Sequence, residues 1–199
     1  MKKIDILKKY LRIVMLLLLI IIGIYVVLVI LPNKSKNNDD IEEVSKIKYD
    51  YVLYKRDSSI YKGIFNELKK ELESDNINYD KYAEYVSELF IVDLYTLSNK
   101  NNKNDVGGLQ FVIDSIKDNY KLNVSNTLYK YVGISKEKPE VNKIELVNLN
   151  KIDYIVNDKT YTGYEVSLKW EYVKDLGYDK EGKVIVVRDG EKLYVVEKK

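Results

Sequence analysis

The longest hydrophobic stretch of the chain is the run Ile13–Leu31, in which no residue is charged. At the rise of an α-helix this run spans about 28 Å, close to the ~30 Å hydrocarbon thickness of a bilayer. A cleaved signal peptide would have a shorter core and small residues before the cut, whereas Leu31 is followed by Pro32, Asn33 and Lys34. The pattern therefore predicts an uncleaved, single transmembrane helix at 13–31.

The charges that flank this run predict its orientation. Five cations and one acid lie in residues 1–12, whereas an acidic stretch, 39–43, follows the run. By the positive-inside rule the basic end stays in the cytoplasm. We therefore expect 1–12 to be a cytoplasmic basic tail and the rest of the chain to be extracytoplasmic, anchored in the cell membrane.

Residues 32–57 have no decisive period. The stretch 32–40 is polar and predicts a spacer. After it, Ile41, Val44, Ile47 and Tyr51 have helical spacing, although 49–54 is also compatible with an extended segment. We favour a juxtamembrane spacer followed by a helix.

From residue 58 the apolar positions follow a helical period. The i+4 series begins at Ile60, and a second helix is predicted from about Asp80 to Leu97, apolar nearly all round in its second half. A shorter third helix is predicted to open after Gly107-Gly108, with Ser125 capping a last short turn. The stripe residues are Ile60, Ile64, Phe65, Leu68 and Leu72 in the first helix, and Leu109, Val112, Ile113 and Ile116 in the third.

After Gly133 the period changes from 3.6 to 2. The clearest strand is 164–172, where apolar and polar residues alternate, and shorter strands are predicted at 143–149 and 152–156. Two more, 184–187 and 193–196, flank Asp189-Gly190, a strong hairpin signal. Short turns of this kind predict an antiparallel meander. The fold class is therefore α+β, with 58–199 forming about three helices packed on a curved four- to five-stranded antiparallel sheet.

Composition narrows the chemistry of this domain. The chain has no cysteine and no histidine, which excludes the usual zinc sites, thiol nucleophiles and histidine-based triads. Its net charge is +2, of which residues 1–12 contribute +4, so the remainder sums to −2. A mildly acidic domain is a poor partner for nucleic acid. A single alanine beside abundant Lys, Asn, Ile and Tyr indicates an AT-rich bacterial genome.

Asp93 is the most interesting single residue, because it lies in the apolar part of the second predicted helix. A buried carboxylate there is either an acid or base with a raised pKa, lining a pocket, or a hydrogen-bonded structural residue. Without a histidine partner we favour the structural role.

Two other stretches have possible binding chemistry. Gly107-Gly108 lacks the spacing of a phosphate loop and predicts turn geometry and helix capping. The carboxylates Asp175, Asp179 and Glu181 lack the ligand order of a calcium loop and predict a solvated turn. We expect no cofactor and no metal.

The order of elements over roughly 58–198, with the long strand 164–173 and the terminal Asp189-Gly190 hairpin, resembles the cystatin-like α+β roll of the nuclear transport factor two-like superfamily. An anchor before such a domain further resembles the bitopic assembly subunits of type IV secretion and conjugation machines. This resemblance implies a non-enzymatic subunit that self-associates and recruits other channel components.

Two functions follow as hypotheses. The first is a membrane-anchored protein-interaction module that acts as a scaffold or assembly subunit, and it is favoured by the lack of a catalytic constellation. The second is a small-ligand binder or enzyme that uses a pocket around Asp93. A deep apolar cavity at Asp93 would favour the second, and a filled core with an exposed apolar patch would favour the first.

Overall fold

The computed structural model describes Met15 and residues 42–156 and 158–199. The basic tail at 1–12, the predicted transmembrane helix at 13–31 (apart from Met15) and the spacer up to residue 41 lie outside the described residues. Within the described ranges, no helix combines the length and the apolar character that crossing a bilayer requires.

The domain is α+β, as predicted, with three helices and a four-stranded antiparallel sheet. A separate two-stranded hairpin precedes the helices. The elements are β1 (Glu43–Lys46), a 3-10 turn (Lys48–Asp50), β2 (Val52–Tyr54), α1 (Ser59–Leu72), α2 (Tyr79–Tyr95), α3 (Asp114–Asn126), β3 (Val141–Val156), β4 (Lys159–Tyr172), β5 (Glu181–Asp189) and β6 (Lys192–Lys198).

The first two helices begin where the sequence places a cap. The Ser58 hydroxyl accepts the backbone N–H of Tyr61, and the Asn78 side chain accepts two backbone N–H groups at the start of α2. The buried side of α1 is centred on Tyr61 and Phe65, with Ile60 and Ile64 only half-buried at its margin. α2 is buried on nearly all sides, which confirms that the apolar second half of the predicted helix lies in the core.

The large sheet is a meander with strand order β3-β4-β5-β6, and every neighbouring pair is antiparallel. Alternate residues of β4, from Tyr164 to Tyr172, are buried on the face that packs against the helices. The β5–β6 turn is the predicted hairpin, and Gly190 has a φ of +63° there. Glycine adopts this backbone conformation at little cost.

The far end of the β3–β4 ribbon folds across the outer face of the sheet. Ile185 and Val187 point away from the core side of β5, yet both are buried. The hydroxyl of Tyr154 donates to Glu197 of β6 at 2.6 Å, although β3 and β6 are opposite edges of the sheet. This bond raises the pKa of Tyr154 to about 12. The sheet is therefore strongly curved, and its outer face carries a second, smaller apolar layer.

β6 is covered on its free edge by an extended segment that precedes α3. Val112 forms a parallel bridge with Val195. The N–H of Val195 donates to the carbonyl of Phe111 at 2.8 Å, and the carbonyl of Val195 accepts from the N–H of Ile113 at 3.1 Å. The N-terminal hairpin β1–β2 reaches the same strand, because the buried Tyr51 hydroxyl donates to the carbonyl of Leu193 at 2.8 Å.

Three secondary-structure predictions are wrong. Residues 43–54 form β1 and β2 instead of a helix, because the register Ser45–Leu53 pairs the two segments and buries Tyr51 and Leu53. The third helix begins at Asp114, since 111–113 are held on β6. Ser125 lies inside the end of α3 and donates to the carbonyl of Leu122, so it caps no further helix.

The predicted strands 143–149 and 152–156 are one strand, β3. Its register shifts between Leu146 and Asn148, and a bulge of this kind changes which residues face inwards. Before the bulge even-numbered residues such as Ile144 pair with the inward residues of β4, and after it odd-numbered residues such as Leu149 do. A continuous strand therefore shows a broken alternation in the sequence.

Candidate functional site

Asp93 is held by two partners in a polar cluster at one side of α2. Its carboxylate accepts a hydrogen bond from the amine of Lys100 and, at 2.6 Å, another from the backbone N–H of Gly108. The Lys100 side chain is only 2% exposed, and that of Asp93 is 15% exposed. Both carboxylate oxygens are thus engaged in fixing the loop between α2 and α3 onto the helix.

A second ion pair lies beside the first. Arg56 donates two parallel bonds to Asp105, at 2.6 and 2.7 Å. Burial raises the pKa of Asp105, but the hydrogen bonds from Arg56 and from the backbone outweigh burial and hold that pKa below its usual value. Burial raises the pKa of the neighbouring Asp57 to about 6, although a backbone N–H from Tyr54 opposes the shift.

The cavity next to this cluster is small and polar. Its volume is about 180 Å³, and Asp57, Asp93, Lys100 and Gln110 are among its lining residues. Ligand sites for small molecules usually enclose about 300–1,000 Å³. The geometry at Asp93 therefore corresponds to the structural role expected from the sequence, with its charges already paired.

Gly107 and Gly108 allow the loop backbone to approach Asp93 on α2 closely. A Cβ at Gly107 would lie 2.0 Å from the backbone oxygen of Asp93, and Gly108 has a φ of +78°. The predicted turn geometry therefore accounts for the two adjacent glycines. The predicted helix capping is wrong, because α3 begins six residues after Gly108, at Asp114.

The acidic loop between β4 and β5 is also engaged internally. Asp175 accepts from Lys180 at 2.5 Å, and Asp179 accepts from the hydroxyl of Tyr95 at 2.9 Å and from Lys198 at 2.8 Å. These carboxylates point at separate cations, which is the geometry of a salt-bridged turn.

A larger concave surface lies elsewhere in the described residues, between α3 and β6. This α3–β6 groove has a volume of about 480 Å³. Its floor is buried side chains of α2, and one wall is the inward stripe of α3. The floor and that wall are formed by Phe90, Leu94, Tyr95, Ile116, Tyr120 and Val124.

The polar residues that line the groove include two uncharged amides. Asn119 and Asn123 lie one helical turn apart on the exposed rim, and within the described residues neither side chain makes a hydrogen bond to another protein group. The two charged lining residues are paired, since Glu197 lies 3.2 Å from the amine of Lys199 and Lys198 donates to Asp179 at 2.8 Å. The groove therefore has an apolar floor and an uncharged asparagine rim.

Sequence reasoning selected Asp93, which does not line this groove, and missed the groove itself. A signal was present, because 116, 120 and 124 form an apolar i+4 series flanked by the parallel series 119 and 123. The prediction does not use this series because it places the stripe of the third helix at 109–116, whereas α3 spans Asp114–Asn126.

Comparison of the chain with known proteins identifies no relative. No protein-family model, curated protein or solved structure matches the chain. The function is therefore inferred from the geometry of the domain and from the sequence.

Proposed function

We propose that this protein is a membrane-anchored, extracytoplasmic protein-interaction module that acts as a scaffold or assembly subunit. The observation that carries the proposal is the α3–β6 groove, an apolar concavity of about 480 Å³ with a neutral rim. Exposed apolar concavities that a domain does not fill itself are typical of interaction sites. The anchor at 13–31 and the basic tail support the location at the membrane.

The pairing of charges in and around the groove supports a recognition role over a chemical one. Catalysis by acid and base groups needs titratable side chains that converge on an open site. Here Asp93, Lys100 and Asp105 are engaged in ion pairs away from the groove, and the two charged residues of the groove are paired as well.

The finer assignment comes from the resemblance in element order. An α+β roll behind a single anchor resembles the bitopic assembly subunits of type IV secretion and conjugation machines. On that basis the protein self-associates and recruits other channel components. Helices followed by an antiparallel meander are compatible with this proposal.

Affinity purification of the full-length protein, gently solubilised from its native membrane, tests the proposal. Quantitative mass spectrometry is compared for the native chain, for Val124→Arg, which blocks the groove wall, and for Asn126→Arg, an exposed substitution outside the groove lining. The expected result is a stoichiometric set of envelope proteins with the native chain and with Asn126→Arg. Recovery of the protein alone, as a monomer, would refute the interaction role.

A small-ligand binder is the second candidate, and the groove volume favours it, because about 480 Å³ lies within the range of small-molecule sites. Native mass spectrometry of the purified full-length protein distinguishes the two. A co-purifying small molecule that is lost in Val124→Arg would support the second candidate, and a ligand-free chain would support the first.

A further inference from the structure

We infer that the α3–β6 groove binds an extended, uncharged peptide segment of a partner protein, which adds to the edge of β6 and is held from the other side by Asn119 and Asn123. This inference rests on the proposed interaction function and names the partner class of the same groove. Three independent features of the described residues lead to it.

The first feature is that the edge of β6 already accepts an added strand. The segment 111–113 pairs with Val195 through two backbone hydrogen bonds. At Ile113 this segment leaves the edge, because α3 begins at the next residue. The edge of β6 beyond Val195 then runs along the groove, as Val196, Glu197 and Lys198 are among its lining residues.

The second feature is the direction of the backbone on that stretch. Lys183 and Lys199 exchange both backbone hydrogen bonds, at 2.9 and 2.8 Å. In an antiparallel ladder the neighbouring pair, here Val184 and Lys198, then directs its N–H and C=O groups away from the partner strand. Since β5 lies on one side, the N–H and C=O of Lys198 face the edge that borders the groove. A donor and an acceptor are therefore presented to an added strand.

The third feature is the spacing of the two asparagines. Four residues of α-helix advance by about 6 Å, and two residues of an extended chain advance by about 6.6–6.8 Å. Asn119 and Asn123 can thus meet alternate peptide units of an extended chain that runs along α3. An amide side chain both donates and accepts, so each asparagine matches one peptide N–H and one peptide C=O.

The floor and the charges of the groove select the side chains of the peptide. Phe90, Leu94 and Tyr95 form an apolar floor, which suits apolar residues at every second position of the peptide. Glu197 lies 3.2 Å from the amine of Lys199, and Lys198 lies 2.8 Å from the carboxylate of Asp179. Each charge of the groove therefore already has a counter-ion, which a charged peptide side chain would have to displace. The preferred segment is therefore uncharged and alternates apolar and small polar residues.

Peptide selection tests this inference on the full-length chain in nanodiscs. A phage-displayed library of random nonapeptides is selected against the native protein, with empty nanodiscs as the counter-selection. We expect enrichment of uncharged, alternating sequences. Absence of enrichment, or enrichment of charged sequences without alternation, would overturn the inference.

A selected peptide is then measured against matched variants. Asn119→Leu/Asn123→Leu replaces the amides by apolar groups of the same branched shape and heavy-atom number, and Asn126→Leu is the same substitution on the exposed end of α3. Loss of several neutral hydrogen bonds predicts a Kd at least about tenfold weaker for the double variant, with no change for Asn126→Leu. Equal affinity for all three proteins would overturn the role of the asparagines.

N-methylation of the peptide separates strand addition from simple hydrophobic contact. Methyl groups on the amides of one peptide edge should abolish binding at the β6 edge, whereas binding that tolerates methylation at every position would refute strand addition. If the double asparagine variant still recovers the native partners from membranes, the peptide site is wrong while the interaction function stands. If the native chain recovers no partner, the interaction function itself fails.

Discussion

Glu88 on α2 provides the sharpest quantitative prediction. Its side chain is buried, with 8% of the residue exposed, and burial, reinforced by the charge of Glu84, raises its pKa from 4.5 to about 8. The folded state therefore binds one more proton than the unfolded state between about pH 4.5 and 8. The contribution of Glu88 to the free energy of unfolding is fully present below pH 4.5 and is lost progressively as the pH rises to about 8.

The magnitude follows from the pKa shift. A pH of 7 is about 2.5 units above the pKa of this carboxyl in the unfolded chain. Each unit is equivalent to 1.36 kcal/mol. Burial of this carboxyl therefore lowers the free energy of unfolding by about 3 kcal/mol at pH 7 relative to pH 4.5. Glu88→Gln keeps the shape of the neutral acid and removes the titration, so it should be about 3 kcal/mol more stable than the native protein at pH 7 and similar near pH 4.5.

Urea unfolding of the full-length protein in detergent micelles measures this difference. Trp170 is the only tryptophan and is 2% exposed, so its fluorescence reports unfolding of the domain without a contribution from the predicted anchor. Glu73→Gln, an exposed change just after α1, serves as the control and should keep the native pH profile. Parallel pH profiles for the native protein and Glu88→Gln would refute the reasoning.

Three further predictions use the same unfolding assay. Gly107→Ala should destabilise the domain by about 3 kcal/mol, because its Cβ would lie 2.0 Å from a backbone oxygen of α2. Gly63→Ala, with no atom within 4 Å, should stabilise it by about 0.5–1 kcal/mol, and equal effects at the two sites would contradict this explanation. Lys100→Met leaves a partly buried carboxylate without its cation and should cost about 3–5 kcal/mol, whereas a loss below about 1 kcal/mol would show that the pair is already hydrated. Tyr154→Phe should cost about 1 kcal/mol and speed hydrogen exchange in the outer half of the β3–β4 ribbon, and unchanged exchange there would show that other contacts hold the ribbon.

Local signals predicted the elements whose partners are near in sequence. The helical stripe of α1, the alternation of β4 and the Gly190 hairpin all involve residues within a few positions of one another. Their physical causes, helical and period-2 burial and turn geometry, are visible in the sequence itself. The α+β class follows from these elements alone.

Most of the errors come from contacts between distant residues or from elements too short to show a period. Residues 111–113 have a helical apolar spacing, yet they are extended because Val195, more than eighty positions later, offers its backbone. β1 and β2 were assigned to a helix because each is too short to show a period. The stripe of α3 that forms one wall of the groove is visible in the sequence, but the groove as a whole is not, since it exists only where α2, α3 and β6 meet.

The contact between the N-terminal hairpin and β6 has a consequence for the order in which the domain is made. Tyr51 bonds to Leu193, 142 positions later, and Leu193 also donates to Tyr82. Neither buried hydroxyl finds these partners until the ribosome has released β6. In the proposed topology, with the anchor leading, these two contacts would form only after the final strand has emerged from the membrane. The edge of β5 has no neighbouring strand until β6 arrives, and in the proposed export this is the interval in which chaperones would protect the chain.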